Sequence, residues 1–289
     1  MKRLVICVYA ITISLNSFAT GQAGDIIFSD GIKWTLLGKP MESDSMLFHN
    51  FMGILPENRS ISTANWEGYT CYWSIKNERL YLDSAKVFFY NHKTKKEVEH
   101  LIPSSDMYHV FNKYYDENRI AATWLTGNIR IAQGKMLFYE HDAFERFYEH
   151  EQIITFKQGR VTGRETFHNR MVVDGLSLAS LNQEDIKAKF PLQTDSCPEL
   201  DGVKKIIFQI YHFQIDSLGN LVDCQLKAIP IPWQQGDKKY PILEGLEKKM
   251  ESMLKSIHPW MTYYVNGEYL FGDSEGLYKH GFIMPYPLD

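Results

Sequence analysis

Alternation of apolar and polar residues with a period of two constrains the fold of this chain more than any other sequence feature. Between residues 69 and 75 every second residue is apolar, which is typical of a strand with one buried face. These residues are Tyr69, Cys71, Trp73 and Ile75. A polar turn follows at residues 76–79, and apolar segments return at residues 80–82 and 86–90, so this region predicts a hairpin or meander.

Further strand-like segments continue to about residue 174 and are separated by glycines. They cover residues 121–131, 135–140, 151–156 and 160–167, with breaks at Gly127, Gly134 and Gly159. Residues 91–99 read as a charged loop or a sheet edge, and residues 107–118 are a candidate for a short helix. We therefore expect a mainly antiparallel β domain over residues 24–175, either as a curved sheet or as a sandwich.

The composition changes near residue 176, where a second domain is expected to begin. Residues 176–200 contain one aromatic residue and are rich in serine, glutamine and aspartate. Strands are predicted at residues 203–215 and 221–229, and a helix at residues 242–257, where apolar residues recur at spacings of three and four. The predicted fold class is thus α+β, with a linker helix and a small strand–strand–helix–strand domain over residues 176–289.

The start of the chain has the layout of a secretory signal peptide. Lys2 and Arg3 form a basic start, and residues 4–15 form an apolar segment that is too short to span a bilayer comfortably. Small residues then suit cleavage, so the predicted signal peptide covers residues 1–19 or 1–23. We expect a periplasmic or secreted protein that has no transmembrane anchor after this cleavage.

The charge balance argues against a nucleic-acid partner. The chain has 31 Lys and Arg residues and 35 Asp and Glu residues, which gives a formal charge of −4. Loss of Lys2 and Arg3 with the signal leaves 29 basic and 35 acidic residues, or −6. Nucleic-acid-binding proteins usually present a basic face, so we expect no nucleic acid as a partner.

Three cysteines remain after removal of the signal, namely Cys71, Cys197 and Cys224. A disulfide scaffold normally has more cysteines and an even number of them. We favour free thiols, since cysteine often behaves as a small buried hydrophobic residue. One disulfide between Cys197 and Cys224, the pair closest in sequence, is the alternative.

Aromatic residues are dense between residues 66 and 90. Packing in the core and between strands accounts for them best, because aromatic side chains favour pleated surfaces. The alternative is an exposed ligand-binding face for a sugar or a peptide. The residues of that face would be Trp66, Tyr69, Trp73 and Tyr81.

Histidine and carboxylate residues cluster twice, at residues 140–142 and 149–151. Such groups make a metal site or an acid–base pair where they converge. Neither cluster has the spacing of the helical zinc motif, and the chain has no nucleophile elbow, phosphate-binding loop or dinucleotide fingerprint. We therefore expect no metal and no cofactor. The candidate catalytic residues are His141, Asp142, His150 and Glu151.

Four landmarks follow one another in the last third of the chain. They are the pair Phe190 and Pro191, the hairpin at residues 213–222, the helix end and tryptophan at residues 254–260, and the turn Val265-Asn266-Gly267. In this order they resemble the TonB C-terminal domain, over about residues 180–289. That family contacts peptides, which add as strands to a sheet edge. Energy-transducing TonB proteins keep a membrane anchor and a Pro-rich spacer, so this chain is not expected to be an energy transducer.

The first domain resembles a recurring module of exported bacterial proteins, to which no activity is attached. The resemblance rests on residues 66–69, on Trp73 and on residues 80–82. All these features together predict an exported, non-enzymatic protein that binds a protein or peptide at the cell envelope. The alternatives are a hydrolase that acts on an envelope polymer or peptide through residues 140–151, and a structural envelope protein without a ligand.

Overall fold

The computed structural model describes residues 21–139, 143–194, 197–233, 243–272 and 281–288. The fold is mixed α+β with a mainly antiparallel sheet, as predicted. The chain divides into two compact units, Met1–Thr166 and Phe167–Asp289. This division comes earlier in the chain than residue 176, because the strand Arg170–Val173 pairs within the second unit.

The described residues of the first unit form a large sheet and two short α-helices. Its strands are β1 (Asp25–Ser29), β2 (Ile32–Leu36), β3 (Tyr69–Lys76), β4 (Arg79–Asn91), β5 (Lys96–Leu101), β6 (Tyr115–Asp116), β7 (Arg119–Ala121), β8 (Gly127–Tyr139), β9 (Arg146–Lys157) and β10 (Arg160–His168). Its α-helices are α1 (Ser45–Ile54) and α2 (Ser104–Phe111). The predicted hairpin at residues 69–91 is β3 with β4.

The strands follow the order β10-β9-β8-β2-β1-β3-β4-β7-β6, and β5 also pairs with β4. The pairs β1–β2, β2–β8, β3–β4, β4–β5, β4–β7, β6–β7 and β8–β9 are antiparallel, and the pair β1–β3 is parallel. A bridge between Arg160 and Arg79 joins β10 to β4, so the sheet closes on itself. Gly159 precedes this bridge and suits its position for two reasons. Its φ is +72°, which favours glycine, and an added Cβ would lie 2.6 Å from the Ala122 carbonyl oxygen.

Two helices supply part of the core of the first unit. The carboxylate of Asp44 caps α1 by accepting hydrogen bonds from the first turn. Phe51 of α1 is fully buried, with its ring 5.1 Å from that of Tyr69 and 6.1 Å from that of Phe111 of α2. The sequence pattern did not predict α1, and it predicted a helix starting at residue 107, whereas α2 begins at Ser104.

The described residues of the second unit form two small sheets. Its strands are β11 (Arg170–Val173), β12 (Val203–Ile215), β13 (Leu221–Pro232), β14 (Thr262–Val265), β15 (Glu268–Phe271) and β16 (Phe282–Pro287), and its helices are α3 (Gln183–Lys189) and α4 (Glu244–Ser256). The predicted strands at residues 203–215 and 221–229 and the predicted helix at residues 242–257 thus agree with β12, β13 and α4. None of the helices in the described ranges has the length and apolar character that crossing a membrane requires.

The strand that follows α4 does not join the β12–β13 hairpin. Instead β14 pairs with β11 and β15, while β16 pairs with β12, which gives the orders β11-β14-β15 and β13-β12-β16. The strand–strand–helix–strand order expected for residues 176–289 therefore holds only with β16 as the last strand. Aromatic rings fill the core: those of Trp260, Phe271 and Phe282 lie 5.1 to 5.3 Å from the ring of Phe213.

Candidate functional site

The candidate catalytic residues do not converge in the part of the chain that the structure describes. His141 and Asp142 lie outside the described residues. His150 and Glu151 are consecutive residues of β9, so their side chains point to opposite faces of the sheet. His150 is exposed, whereas Glu151 is fully buried.

The buried carboxylate of Glu151 is held by groups of its own hairpin. It accepts a hydrogen bond from the Tyr148 N–H at 2.8 Å and lies 3.7 Å from the Arg130 guanidinium. These contacts stabilise the buried carboxylate within the β8–β9 hairpin, which is a structural role. Within the described ranges, no three His, Cys, Asp or Glu side chains are grouped so that they could hold a metal ion.

The predicted aromatic ligand face is not a single surface, which corrects that interpretation. Tyr69 and Trp73 are fully buried, because their positions in β3 point into the core. Trp66 is 61% exposed. Tyr81 is half-buried beneath the guanidinium of Arg119, which lies 4.0 Å from the ring centre. The favoured interpretation, packing in the core and between strands, describes Tyr69 and Trp73.

A buried ion pair ties the first three strands together. The Lys39 ammonium lies 2.9 Å from the Asp25 carboxylate, and both side chains are almost completely excluded from solvent. Asp25 also accepts hydrogen bonds from the Trp73 indole at 2.9 Å and the Cys71 N–H at 3.0 Å. Burial raises the pKa of the Asp25 carboxyl, and Lys39 and the N–H donors oppose that shift. This pair was not predicted from the sequence, since neither residue belongs to a motif.

A cleft of about 510 Å³ lies beside this ion pair. Lys39 and Arg130 are among its lining residues. Arg130 donates hydrogen bonds to the carbonyl oxygens of Phe144 at 2.6 Å and Arg146 at 3.1 Å, and it lies 3.6 Å from Glu145. Both cations are therefore already engaged by protein oxygens, which does not favour an anion site in this cleft.

The three cysteines of the described chain are free thiols, in agreement with the favoured interpretation. Cys71 is fully buried, and burial raises the pKa of its thiol well above the usual value. Burial also raises the pKa of Cys224 to about 12. Thiolate is the nucleophilic form of cysteine, so neither residue is activated as a nucleophile.

β5 is an edge strand, and no other strand among the described residues pairs with its outer side. Its register sets Glu99 opposite Phe88 of β4. The Phe88 carbonyl oxygen accepts a hydrogen bond from the Ser60 N–H at 2.7 Å, so this carbonyl points away from β5. Opposed residues in an antiparallel ladder alternate between bonded and non-bonded pairs. The backbone groups of Glu99, and of Glu97 and Leu101 beside it, therefore point outward.

The inner side of β5 follows the same alternation. The Ile102 N–H donates to the Ala85 carbonyl oxygen at 2.9 Å, so the backbone of Ile102 faces β4. Because the direction alternates along a strand, the backbone groups of the preceding residue, Leu101, point outward. All six side chains of β5 are exposed, and the strand contains no proline. Val98 and Leu101 are 50% and 53% exposed. The outer side of β5 is thus a row of accessible backbone donors and acceptors of the kind that accepts another strand.

A cavity of about 280 Å³ lies at the C-terminal end of this edge. Leu101, Met107 of α2 and Tyr115 of β6 form part of its wall. Arg119 also lines it and donates a hydrogen bond to Asp83 at 2.7 Å. Its volume lies just below the roughly 300–1,000 Å³ of typical small-molecule pockets, so it has room for a side chain of an added strand.

In the second unit, contacts of β13 show which backbone groups face outward. The Ala228 N–H donates to the Glu247 carboxylate of α4 at 2.9 Å, so Ala228 faces away from β12. Its partner Phe208 must then form its backbone hydrogen bonds on the other side of β12, with Met284 of β16.

Prolines occupy outward-facing positions on both edges of that sheet. Because Met284 faces β12, the outward positions of β16 are Ile283, Pro285 and Pro287; on β13, Pro230 faces outward. Proline has no N–H and cannot donate to an added strand. The outer side of β16 therefore offers one N–H donor, that of Ile283. The edges of the other small sheet, β11 and β15, have only four residues each.

Comparisons with protein-family models, curated proteins and solved structures find no match to this chain. The resemblance of residues 180–289 to the TonB C-terminal domain and that of the first domain to an exported module therefore stay predictions. The charged character of residues 91–99 indicated a loop or an edge, which was the signal for β5. The sequence contained no signal for the direction in which the backbone groups point.

Proposed function

We propose that this chain is an exported, non-enzymatic binding protein of the cell envelope that captures an extended segment of another polypeptide as an added strand on β5. The observation that carries the proposal is the open outer side of β5, with three outward backbone N–H groups and no proline. Strand addition obtains its affinity from main-chain hydrogen bonds and needs few special side chains.

Two further observations support binding by β5. The candidate catalytic residues that the structure describes diverge, and the cations of the large cleft are already engaged by protein oxygens. The prolines of β13 and β16 weigh against strand addition in the second unit, although the resemblance to the TonB C-terminal domain implied it there. We therefore transfer the predicted mode of binding from the second unit to the first.

The proposed compartment rests on the signal-peptide pattern, and the proposed envelope role rests on the resemblance of the second domain. We propose further that the protein is not an energy transducer, for the reasons found in the sequence. Expression of the full chain followed by N-terminal sequencing tests the compartment. We expect a mature start after residue 19 or 23 in the periplasm or the medium; an intact start in the cytoplasm would contradict it.

A displayed library of random linear peptides, selected on the full chain, tests the binding function. Two proline variants then distinguish the edges. Glu99→Pro removes an outward N–H of β5 and leaves its bonds to β4 intact, so selected peptides should lose binding at least tenfold. Ile283→Pro makes the same change on β16 and should leave binding unchanged.

Each result decides between the two sheets. Loss of binding in Glu99→Pro alone supports β5 as the acceptor, whereas loss in Ile283→Pro alone transfers the function to the second unit. Equal binding by both variants and by the unaltered protein would overturn strand addition at β5 and at β16. Backbone amide exchange of Val98 and His100, which face β4, shows whether the β4–β5 hairpin survives in Glu99→Pro.

A further inference from the structure

The two faces of β5 differ in charge, and an added strand must match both. Residues at alternate positions of a strand share a face, so Glu97, Glu99 and Leu101 are on one face, with Val98 and His100 on the other. Side chains directly opposite each other on neighbouring strands interact, and opposite charges are favourable while like charges are not. A strand added to β5 thus meets two carboxylates at alternate positions of one face.

The charges around these carboxylates determine how much each contributes. Lys86 of β4 lies 2.6 Å from Glu99, so Glu99 is partly neutralised. Glu97 lies opposite Tyr90 and forms no ion pair among the described residues. A carboxylate has two oxygens and accepts several hydrogen bonds, so Glu99 still has room for a second cation. Glu97 is therefore the stronger attraction for a basic side chain on the added strand.

A second copy of this chain is a poor occupant of the edge. Two β5 strands that pair antiparallel through their outward groups bring outward residues opposite one another. The two registers centred on the glutamates set Glu99 opposite Glu99, or Glu97 opposite Glu99, and both arrangements oppose like charges. Because these central registers oppose like charges, we take a different polypeptide as the partner.

We propose that the partner segment has basic residues at two alternate positions with an apolar residue between them; this inference rests on the strand-addition function above. In antiparallel pairing, the basic residues lie opposite Glu99 and Glu97, and the apolar residue between them lies opposite Val98. An apolar residue opposite Leu101 adjoins the cavity at that end, and an acidic residue opposite Lys96 completes the pattern.

Two peptides with the same backbone and reversed charges test this inference. The sequences GSVTKVKEGS and GSVTEVEKGS differ only in the charged residues that would face Glu99, Glu97 and Lys96. With the full chain at low ionic strength, fluorescence anisotropy should show the first peptide binding on the order of tenfold more tightly. The double variant Glu97→Lys, Glu99→Lys should reverse this preference, and salt should reduce it.

The outcomes separate this inference from the proposed function. Equal binding of both peptides, with loss of both in Glu99→Pro, would overturn the charge pattern and leave strand addition standing. The same conclusion follows if neither peptide binds while library-selected peptides bind and are lost in Glu99→Pro. Binding that is indifferent to Glu99→Pro would overturn the function itself, and the charge pattern with it.

Discussion

The two units protect their sheet edges in different ways. On β16 the outward positions carry Pro285 and Pro287, which remove the N–H groups that a further strand would need. On β5 the same kind of position carries Glu97 and Glu99, which keep their N–H groups and add charge. Both devices discourage unspecific pairing, but only the charged edge stays open to a partner with matching charges.

The interiors of the two units differ in a parallel way. The first unit buries the ion pair of Asp25 and Lys39. The core of the second unit instead contains aromatic rings packed around Phe213. A buried ion pair is costly to break because it leaves one charge without compensation. An apolar core loses packing instead, without any dependence on protonation. Substitutions in the two interiors should therefore lower the free energy of unfolding by similar amounts, but only those at the ion pair should have an effect that depends on pH.

The largest expected effect is that of Lys39→Met on the first unit. The variant leaves the Asp25 carboxylate buried without its cation, which should lower the free energy of unfolding by about 3–5 kcal/mol. Denaturant titration measures this change. Because the folded-state pKa of Asp25 is raised, the folded protein holds a proton more strongly than the unfolded chain does. The variant should therefore lose stability as the pH rises from the acid range towards neutrality.

A double variant with Asp25→Leu and Lys39→Met is the control for this prediction. It removes both charges, so it should recover much of the stability that the single variant loses. Unchanged stability in Lys39→Met would show that the ion pair does not hold β1 to β3.

A similar loss without that pH dependence is expected for Phe213→Ala in the second unit. The change removes a ring that contacts Trp260, Phe271 and Phe282, and such substitutions cost about 3–5 kcal/mol. Denaturation at several pH values checks the prediction. Phe213→Leu, which keeps most of the apolar volume, should lose less. If the loss of unfolding free energy in Phe213→Ala became smaller at low pH, pH dependence would not distinguish the two interiors.

The smallest expected effect is local and concerns the edges themselves. Amide exchange followed by NMR should show fast exchange at Glu97, Glu99 and Leu101, and slower exchange at Val98 and His100, which face β4. On β16, Ile283 should exchange faster than its neighbour Met284. Slow exchange at all three outward amides of β5 would mean that this edge is covered, and it would remove the basis for the proposed function.

The main elements of the second unit were predictable from local patterns. The apolar periodicity of β12, β13 and α4 matched the structure closely, since each segment buries one face along its length. The partner of β14 was not predictable in the same way. The four residues of β14 could by their sequence join either small sheet of the second unit. Their pairing with β11 places them in the β11-β14-β15 sheet.

The candidate site could be predicted only in part. The charged character of residues 91–99 indicated a loop or an edge. The aromatic pattern at residues 66–81 was best explained by core packing, and it left a ligand face open as the alternative. Tyr69 and Trp73 carry the same side chains in either role, and burial by α1 and β1 settles the role that they take. The helix α1 was not recognised, although Leu47, Phe51 and Leu55 recur at a helical spacing of four residues.

The sequence by itself determined the fold class, the hairpins, the long helix and the charged character of residues 91–99, because these depend on periodicity and on turn residues close together in the chain. Only the tertiary structure decided that Asp25 meets Lys39 and Trp73, that β16 rather than β14 completes the second sheet, and that the outer side of β5 is open. Those outcomes depend on which segments meet across long sequence separations, and on the direction of each backbone hydrogen bond. Local sequence patterns do not specify which distant segments meet or where each backbone group points.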